Sequence, residues 1–588
     1  MPAKSPYNFV PAPDWKNVYK PDWADSITHD LPFSDGESGE IRIEMVAETP
    51  VFIRSGRQGK GETQLFPSMM KDGEKKYYIP GSSVRGMVRS VFEVMSRSML
   101  NPDLVGNDRF SHRSLKGDSY YKEVFKTNEV KAGWLEIDPE GSWVIKPAEY
   151  CHIHHDEVDR HFNTGFRRIF REMRYPNKYR RAFGKYEDIV GRGKSLDLRF
   201  DIRTEERQGV RKKLAIPSQG GEFTGTLVCT GQPGYRNDAN GTGKVHEFVF
   251  YDHFDYEYVI SDDVVEDFLF IYGDSDPSLK NDWKDWKKRL RENKPVPVFF
   301  QTEGDYVLHF GLSQLYKLPY NQSVHDLKPI DGYATGTGKN MSRPWDLARS
   351  MFGFSSSDSS LKGRIFFGHA LCTEQSTHPE DVTLVLGQPK ASYAPHYLKD
   401  AADFDYDQPD ARLSGFKRYF TRNKAVLEPL GQQNDNQNVT TKFRPFGTGS
   451  RFECSIRFHN LRKVEIGALL SALTFHGNGD FVRHQVGGAK PYGFGKVRLE
   501  VVRCSGFGQD VDITEYQKAF EEELKSSYVG GGDWFMSHAV SAFFAMGSGE
   551  VNGIQELTYP TLKEHQKRES TLRQPGLKDR NRIKRYKK

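Results

Sequence analysis

The chain has 588 residues, which is too long for one ordinary hydrophobic core and predicts roughly two to four structural units, or one domain with a large insertion. Hydrophobic residues make up 37%, charged residues 28%, and glycine occurs 54 times, a composition typical of a loop-rich globular protein. The 84 Lys+Arg against 79 Asp+Glu leave a net charge of +5, which is too small to indicate a nucleic-acid partner by itself.

Cysteine usage and hydropathy exclude further classes of protein. The five cysteines are odd in number, scattered and without a Cys-x-x-Cys pair, so we expect no disulfide framework. The opening residues lack the apolar core of a signal peptide, and no apolar run approaches the length of a membrane span. These features predict a cytoplasmic protein with no membrane partner.

The N-terminal region divides into an arm, a strand and a basic loop. Residues 1–38 are rich in Pro, Asp and Trp without a sustained period, which predicts an extended arm. Residues 41–45 alternate between apolar and polar, as in a half-buried strand. The loop at 54–61 combines three glycines with three basic residues, among them Arg54. This composition suits close approach to a phosphate backbone, and a solvated loop is the alternative.

The next element is a predicted amphipathic helix over 81–99, because its apolar residues recur every three or four positions. A Pro-Gly pair sets the entry turn, and Ser82 or Ser83 is expected to accept a bond from a free N–H group of the first turn. The remaining N–H groups, the positive end of the helix dipole and Arg85 together make a candidate phosphate site. An ordinary capped helix without a ligand is the competing interpretation.

Residues 101–300 are predicted to form an insertion. Its densest basic stretch, 166–181, interleaves arginine and lysine with aromatic residues, the mixture that pairs phosphates and stacks bases. A solvated face with ordinary aromatic anchors is the alternative. Strands are predicted over 222–260, and a charged helix at 281–293.

A second candidate site lies inside the predicted insertion, at Cys151, His152, His154 and His155. Thiolate and imidazole are ligands that Zn²⁺ prefers, so these four residues predict a structural zinc site. No second pair of Cys or His follows at ligand spacing. Histidines that contact RNA and a plain polar segment are the alternatives.

The second half of the chain repeats the pattern of the first. Residues 452–458 alternate strictly between apolar and polar, a helix is predicted over 462–475, and an alternating strand begins at residue 497. A strand–helix unit near the start is thus matched by a strand–helix–loop–strand unit near the end. We predict an α+β fold with a ferredoxin-like core, of the kind found in the RNA-recognition motif, split by the insertion at 101–300.

The predicted domain organisation therefore has five parts. They are the N-terminal arm (1–38), the first half of the core (39–100), the insertion (101–300), the second half of the core with its glycine-rich loop (301–508), and a C-terminal extension (509–588). The extension contains an apolar, helix-like segment at 535–546 and ends in a basic tail that is predicted to be unstructured.

The loop at 487–495 contains four glycines, one lysine and two aromatic residues, so its backbone can lie against phosphates. Lys490 is expected to neutralise phosphate charge, and Tyr492 or Phe494 to stack on a base. The candidate RNA-binding residues of this loop and of the N-terminal elements are Arg54, Ser82, Ser83, Arg85, Gly487, Gly488, Lys490, Tyr492, Gly493, Phe494, Gly495 and Lys496.

Five segments have an order and spacing that point to a known family. They are Ile79-Pro-Gly-Ser-Ser-Val-Arg-Gly86, Asp346-Leu-Ala-Arg-Ser-Met-Phe-Gly353, Gly363-Arg-Ile-Phe-Phe-Gly-His-Ala370, Gly447-Thr-Gly-Ser-Arg-Phe452 and Gly487-Gly-Ala-Lys-Pro-Tyr-Gly-Phe-Gly-Lys-Val497. In these segments the sequence resembles the RAMP superfamily of CRISPR-associated proteins, and within it the backbone-forming subunits of type III effector complexes. The central insertion is similar to that of type III-D variants.

The resemblance implies a RAMP fold that binds CRISPR RNA (crRNA) along its phosphate backbone without reading its sequence. Guide–target pairing then supplies specificity for the target RNA. It also implies that the protein belongs to a multisubunit ribonucleoprotein with other RAMP-type Cas subunits as partners.

The same resemblance raises target-RNA cleavage as the alternative function. Members that cut RNA carry an aspartate in the loop between the first strand and the Ile-Pro-Gly helix, where it promotes metal-dependent attack by a ribose 2′-hydroxyl. Here that loop contains Asp72 as its only aspartate, and Glu62 lies nearer the expected place. Either carboxylate could act as a base or hold Mg²⁺ or another divalent metal, whereas an Asp-Gly pair is also usual in a turn.

Two further functions stay open on the sequence. A repeat-processing nuclease of the same superfamily is disfavoured, because the N-terminal part has no histidine placed as a general base. A phosphate-binding metabolic enzyme is the other alternative.

Overall fold

The computed structural model describes residues 5–56, 62–100, 109–112, 125, 129–166, 181–207, 210–231, 244–274, 282–324, 326–327, 345–355, 360–377, 380–386, 391, 394–399, 406–408, 411–428, 440–506, 508–529, 532–551, 557–559 and 575–586. The chain forms two compact units: unit 1 comprises Met1–Asp108 and Asn321–Lys588, and unit 2 comprises Arg109–Tyr320. No helix within these described ranges is both long enough and apolar enough to cross a bilayer.

In chain order the strands are β1 (Tyr7–Val10), β2 (Glu37–Ala47), β3 (Ser68–Lys71), β4 (Glu74–Ile79), β5 (Ser111–His112), β6 (Lys131–Ile137), β7 (Trp143–His154), β8 (Asp197–Arg207), β9 (Val210–Pro217), β10 (Phe223–Val228), β11 (His246–His253), β12 (Tyr258–Val259), β13 (Val296–Glu303), β14 (Tyr306–Gly311), β15 (Leu318–Pro319), β16 (Gly353–Ser355), β17 (Ser360–Lys362), β18 (Ile365–Phe367), β19 (Ala370–Glu374), β20 (Val382–Val385), β21 (Phe416–Tyr419), β22 (Thr440–Phe443), β23 (Arg451–Leu461), β24 (His484–Gln485), β25 (Lys496–Gly506) and β26 (Gln509–Asp510).

The α-helices are α1 (Gly81–Met95), α2 (His155–Phe162), α3 (Ala182–Val190), α4 (Asp262–Ile271), α5 (Asp282–Arg291), α6 (Leu347–Phe352), α7 (Ala394–Tyr397), α8 (Lys463–Thr474), α9 (Ile513–Ser526) and α10 (His538–Ser548). Together the strands and helices confirm the predicted α+β class.

The main sheet of unit 1 has the strand order β24-β25-β2-β23-β19-β4-β3, and β18 also pairs with β23. The pairings between its strands are antiparallel. Its centre is formed by β25, β2, β23 and β19 in that order. Of these four strands, β2 comes first in the chain and β25 comes last, and the two are neighbours in the sheet. Helix α1 follows β2 along the chain, and α8 follows β23 directly.

One face of this sheet is buried because its apolar residues alternate with polar ones along each strand. The buried residues of β2, β23 and β25 include Ile41, Ile43, Met45, Phe452, Cys454, Ile456, Phe458, Val497 and Leu499. The opposite face carries charged pairs, such as Arg451 with Glu44, whose side chains approach to 2.9 Å. Alternation of this kind is typical of an antiparallel sheet with one solvated face.

Helices α1 and α8 pack against each other and share a core with the buried face of the sheet. The apolar stripe of α1 is buried as predicted, but the helix ends at Met95 and not at residue 99. The amide of Ser96 still donates to Phe92 O at 2.8 Å, whereas Arg97 adopts a left-handed backbone with φ of 51°. This conformation ends the helix.

The N-terminal arm and the C-terminal tail both pack on unit 1. Strand β1 pairs with β21, with Tyr7 opposite Tyr419. The tail at 578–588 was predicted to be unstructured, and that prediction is wrong for its described residues, 578–586. Ile583 is buried, and the hydroxyl of Tyr586 donates to Gln517 Oε1 at 2.8 Å.

Unit 2 is built on a second sheet, with the order β11-β10-β8-β9-β7-β6-β13-β14. Strand β11 also pairs with β7, so part of the sheet closes on itself. Helix α5 begins and ends close to the predicted positions and buries Trp283, Trp286 and Leu290. Because β14 pairs with β13 and β13 with β6, the strand at Tyr306–Gly311 belongs to unit 2, which extends beyond residue 300.

A buried ion pair joins Arg364, which directly precedes β18, to Glu465 in helix α8. Arg364 and Glu465 are almost fully buried, and the guanidinium donates to both carboxylate oxygens, one at 3.0 Å. Arg364 also donates to the carbonyl oxygen of Ser350 at 3.1 Å. Glu465 in turn accepts from the amide of Arg462 at 2.9 Å, at the start of α8.

Replacing Glu465 with Ala is expected to lower the free energy of unfolding by about 3–5 kcal/mol, because the buried guanidinium loses its counter-charge. Urea denaturation followed by circular dichroism measures this change. The matched control is Glu515→Ala, which breaks an exposed pair with Lys463 and should cost at most about 1 kcal/mol. Equal effects of the two substitutions would contradict a structural role for the buried pair.

Candidate nucleic-acid interface

A cavity of about 530 Å³ in unit 1 brings the two glycine-bearing elements together. Helix α1 contributes Ser83 and Gly86 to its wall, and the glycine-rich loop contributes Gly487, Gly488 and Lys490. Elements from opposite ends of the sequence therefore face the same space. We refer to it as the unit 1 cavity.

The glycine-rich loop reaches this position because its backbone lies directly against the segment that follows β2. The amide of Gly488 donates to Phe52 O at 2.9 Å, and the amide of Gly495 donates to Pro50 O at 2.8 Å. Gly487 has φ of +82°, and a Cβ added there would collide with the carbonyl oxygen of Phe52. Glycine is required because it alone combines this backbone conformation with so close an approach.

The charged side chains in the wall of the unit 1 cavity are cationic. Within the described residues its lining includes no carboxylate. The five cationic side chains that line it are Arg54, Lys417, Arg418, Arg483 and Lys490.

The three arginines differ in how far neighbouring groups neutralise them. Arg483 forms an ion pair with Glu48, with 2.7 Å between Nε and Oε1. Arg54 is exposed and donates to the neutral Gln64 side chain at 3.1 Å. Arg418 donates to the carbonyl oxygen of Lys417 at 2.9 Å, and burial lowers the pKa of its guanidinium to about 10 although nearby Glu93 opposes the shift. Among these three arginines, only Arg483 has a carboxylate of the described part of the chain within ion-pair distance.

The two lysines are cations that the protein partly desolvates. Burial, with a smaller contribution from the Arg418 charge, lowers the pKa of Lys490 to about 8. Burial also lowers the pKa of Lys417 to about 8, and its ammonium group lies 4.0 Å from the centre of the Tyr7 ring. A bound anion would oppose both shifts, because opposite charge favours the protonated form.

The start of α1 differs from the prediction in its cap and in the placement of Arg85. The amide of Gly81 donates to His369 Nδ1 at 3.0 Å, so a histidine between β18 and β19 takes the role predicted for Ser82 or Ser83. Ser83 lines the cavity, whereas Ser82 is exposed outside it. Arg85 donates to Phe352 O at 2.7 Å and therefore turns towards α6.

The predicted stacking role of the two loop aromatics is wrong. Tyr492 and Phe494 have no exposed surface, and the Tyr492 hydroxyl donates to Val385 O at 3.0 Å. Phe494 packs on Phe443, with 5.5 Å between ring centres. Both rings pack in a buried cluster with Phe52 and Phe443 and hold the loop in place, so neither can reach a base.

The remaining loop residues also support the loop and do not line the cavity. Gly495 bonds to the segment after β2, as described above, and Gly493 packs against Arg422 and the backbone of Lys424. Lys496 pairs with Glu48 at 3.1 Å, the carboxylate that it shares with Arg483. Of the predicted RNA-binding residues, the cavity brings together Arg54, Ser83, Gly487, Gly488 and Lys490.

The two carboxylates proposed for cleavage lie outside the unit 1 cavity. Asp72 occupies the two-residue turn between β3 and β4, is exposed, and has φ of 54°. This is the turn geometry that an Asp-Gly pair favours. Glu62 is exposed on the segment after residue 61. The structure therefore brings neither residue to the cavity wall.

The four residues predicted to bind zinc do not converge. Cys151 points into the core of unit 2, where burial raises the pKa of its thiol to about 12. His155 contacts Glu247 at 3.1 Å inside a buried cluster with Lys185, whereas His154 accepts from the amide of Asp156 at 3.2 Å. No group of three or more metal-ligating side chains occurs in the described ranges.

Two predicted basic elements lie largely outside the described residues. These are the loop at 57–61 and the basic-aromatic stretch at 167–180. At the ends of the latter, Phe166 is buried in unit 2, and Arg181 pairs with Asp285 at 2.9 Å.

The sequence analysis missed three cavity cations: Lys417, Arg418 and Arg483. The first two lie on β21, a strand of four residues that is recognised only through its pairing with β1. A basic pair between Phe416 and Tyr419 is the signal that was available.

Comparison with known proteins supports the RAMP resemblance for part of the chain. Residues 44–272 match the family model described as the RAMP superfamily, a range that includes α1 and most of unit 2 but not the glycine-rich loop. The match supports the superfamily part of the resemblance over these residues, while the effector type and subtype stay predictions. No curated protein matches the sequence.

Among solved structures, Csc2 from Thermofilum pendens aligns at 12% sequence identity, covering 70% of this chain and 78% of that chain. The TM-score is 0.15, which is too low to indicate a shared fold.

Replacing Gly487 with Ala is expected to destabilise unit 1 by roughly 1–3 kcal/mol, because alanine is strained at positive φ and its Cβ meets a backbone oxygen. Gly86→Ala is the matched control on the same cavity wall. An added Cβ there meets nothing within 4 Å, so alanine in the helix should stabilise by about 0.5–1 kcal/mol. Urea denaturation of the two variants measures both effects, and a neutral Gly487→Ala would contradict the close approach.

Proposed function

We propose that unit 1 binds the sugar-phosphate backbone of a guide RNA, as a subunit of a type III CRISPR ribonucleoprotein. The observation that carries this proposal is the unit 1 cavity, in which both glycine-bearing elements and five cations meet without a lining carboxylate among the described residues. A surface of this kind favours a polyanion through charge and desolvation. The RAMP match over residues 44–272 supports RNA as that polyanion.

Lys490 is the best-placed phosphate contact in the proposed site. Its side chain is half-buried and, within the described residues, has no ion-pair or hydrogen-bond partner for its ammonium group. A phosphate oxygen would supply the missing acceptor and would recover part of the cost of burying the charge. The Ser83 hydroxyl on the opposite element is a neutral donor for the same anion.

Sequence-independent binding follows from what the glycine-rich loop offers. Its two aromatic rings are buried, so the loop presents backbone and one lysine and no stacking surface. Contacts to phosphates position a nucleic acid but carry no information about its sequence. In the proposed complex, pairing between guide and target would supply specificity.

We also assign the central sheet to the ferredoxin-like, RNA-recognition-motif class. The order β25-β2-β23-β19, with α1 after the first of these strands in the chain and α8 after the third, supports the assignment. Other RAMP-type subunits and a target RNA are the partners that this role requires. Target cleavage is not part of the proposal, because Asp72 occupies a hairpin turn and no observation favours it as a base.

Replacing Lys490 with Ala is expected to weaken binding of single-stranded RNA about tenfold, since a charge-assisted hydrogen bond contributes roughly 1.5 kcal/mol or more. The loss should be similar for RNAs of unrelated sequence, and the slope of log K against log[salt] should fall by about 0.7. Fluorescence anisotropy with two labelled oligonucleotides measures both quantities.

The matched control for this experiment is Lys525→Ala, which removes an exposed lysine on α9, outside the cavity. Its affinity should stay within twofold of the parent protein. If Lys490→Ala binds as tightly as this control, or if the loss depends on the RNA sequence, the proposed backbone contact is wrong.

RNA affinity is expected to fall as the pH rises through about 8. The amino groups of Lys490 and Lys417 are protonated below their pKa of about 8 and lose their charge above it. Because only the protonated forms attract phosphate, the dissociation constant should be flat near pH 7 and rise above pH 8, by about tenfold in total for Lys490, the same loss that is expected for Lys490→Ala.

Titration at constant ionic strength tests this pH dependence. The variant Lys490→Arg should remove part of it, because arginine stays charged throughout this range. The same pH profile for the parent protein and this variant would exclude Lys490 as the titrating contact.

A further inference from the structure

Unit 2 contains a second basic cavity, of about 500 Å³, that the proposed function does not use. Residues of β6, β7 and β9 form its wall together with the turn after β11. Its cationic side chains are Lys131, Arg211, Lys212 and Lys213, and its exposed aromatic side chains are Phe254 and Tyr256. We call these six residues the unit 2 groove.

The cations of the unit 2 groove are weakly neutralised. Lys131 bonds only to neutral groups in the described structure, among them Thr302 Oγ1 at 2.9 Å. Lys213 pairs with Glu149 at 3.2 Å and Arg211 with Glu206 at 3.3 Å.

All four of these paired side chains are exposed, so a phosphate can replace the carboxylates at little cost. Lys212 has no ion-pair or hydrogen-bond partner within the described residues, and partial burial lowers its pKa.

The two aromatic residues are held at the surface by the backbone. Asp252 has φ of 46°, the register of β11 against β7 shifts between Tyr251 and His253, and the amide of Phe254 then donates to Pro147 O at 3.2 Å. Phe254 is 41% exposed and Tyr256 is 52% exposed, with 5.7 Å between their ring centres. Two large rings left beside four cations provide a platform on which bases can stack.

We propose that the unit 2 groove binds a single-stranded nucleic acid, with the four cations contacting phosphates and with bases stacked on Phe254 and Tyr256. An acidic polypeptide would satisfy the cations but would leave the rings unexplained. A duplex would satisfy the cations but would keep its bases out of reach of the rings. The proposal goes beyond the function assigned to unit 1 and does not depend on it.

The first test is ultraviolet cross-linking of the full-length protein to a uridine-rich single-stranded RNA, followed by mass spectrometry of the cross-linked peptides. We expect adducts on the peptide that contains Phe254 and Tyr256, because stacked uracil reacts with the adjacent ring. Adducts confined to other peptides would overturn the proposal. A deoxyuridine oligonucleotide of the same length, tested in parallel, distinguishes RNA from DNA as the source of the strand.

The second test measures affinity in the Lys490→Ala background, which weakens the proposed unit 1 site. The double variant Phe254→Ala/Tyr256→Ala is expected to lose about tenfold or more in affinity, and Lys212→Glu a similar amount. The controls are Tyr306→Ala, which removes a tyrosine 79% exposed on β14, and Lys194→Ala, which removes an exposed lysine outside the groove. Circular dichroism verifies that each variant is folded.

The outcomes of these tests separate the two sites and the two kinds of partner. If Phe254→Ala/Tyr256→Ala weakens binding while Lys490→Ala does not, the groove proposal stands and the unit 1 proposal fails. If the aromatic variant binds as tightly as Tyr306→Ala, the groove proposal fails. Polyglutamate that competes as well as RNA at equal charge would assign the groove to an acidic protein and overturn it.

Discussion

The contact between the glycine-rich loop and the segment after β2 is the constraint on which the proposed site depends. Two main-chain hydrogen bonds, from Gly488 to Phe52 and from Gly495 to Pro50, join backbones that no side chain separates. This approach places Lys490 on the wall of the cavity that Ser83 of α1 also lines, and it holds the loop against the segment after β2. Without it Arg54 and Lys490, which lie on or next to the two joined segments, would be on separate surface loops, where each would be screened and weakly oriented.

Unit 1 contains two cations removed from solvent, Arg364 and Lys490, and they differ in whether a carboxylate neutralises them. Arg364 is fully buried, and its guanidinium donates to both carboxylate oxygens of Glu465. A buried charge is stable only with such a partner. Lys490 is half-buried, has its pKa lowered to about 8, and faces a cavity without a carboxylate among its described lining. Desolvating a cation without a partner destabilises the free protein, and such groups are found where a ligand supplies the missing charge.

Local sequence patterns predicted many of the strands and helices. They could not predict which distant segments of the chain pair with each other. Strict alternation at 452–458 indicated which face of β23 is buried, and the period of α1 identified its apolar stripe, because each depends on neighbours in the chain. The glycine count of the loop indicated close backbone approach. It did not reveal that the approach is to Phe52, or that this contact buries Tyr492 and Phe494. Lys417 was missed for the same reason, since β21 exists only through its pairing with the N-terminal arm.

The two basic surfaces differ in a way that indicates different tasks. In unit 1 four of the five cavity cations are partly buried, Arg54 being the exposed one, and the loop aromatics are packed, so the cavity favours one polyanion held by its phosphates. In unit 2 the cations are exposed, the carboxylate partners of Arg211 and Lys213 are exposed as well, and two aromatic rings remain partly exposed at the surface. A strand bound there gains stacking energy from any base but little orientation from charge alone. The unit 2 groove would therefore suit a nucleic-acid strand that binds and dissociates, whereas the unit 1 cavity would suit a nucleic acid that stays bound.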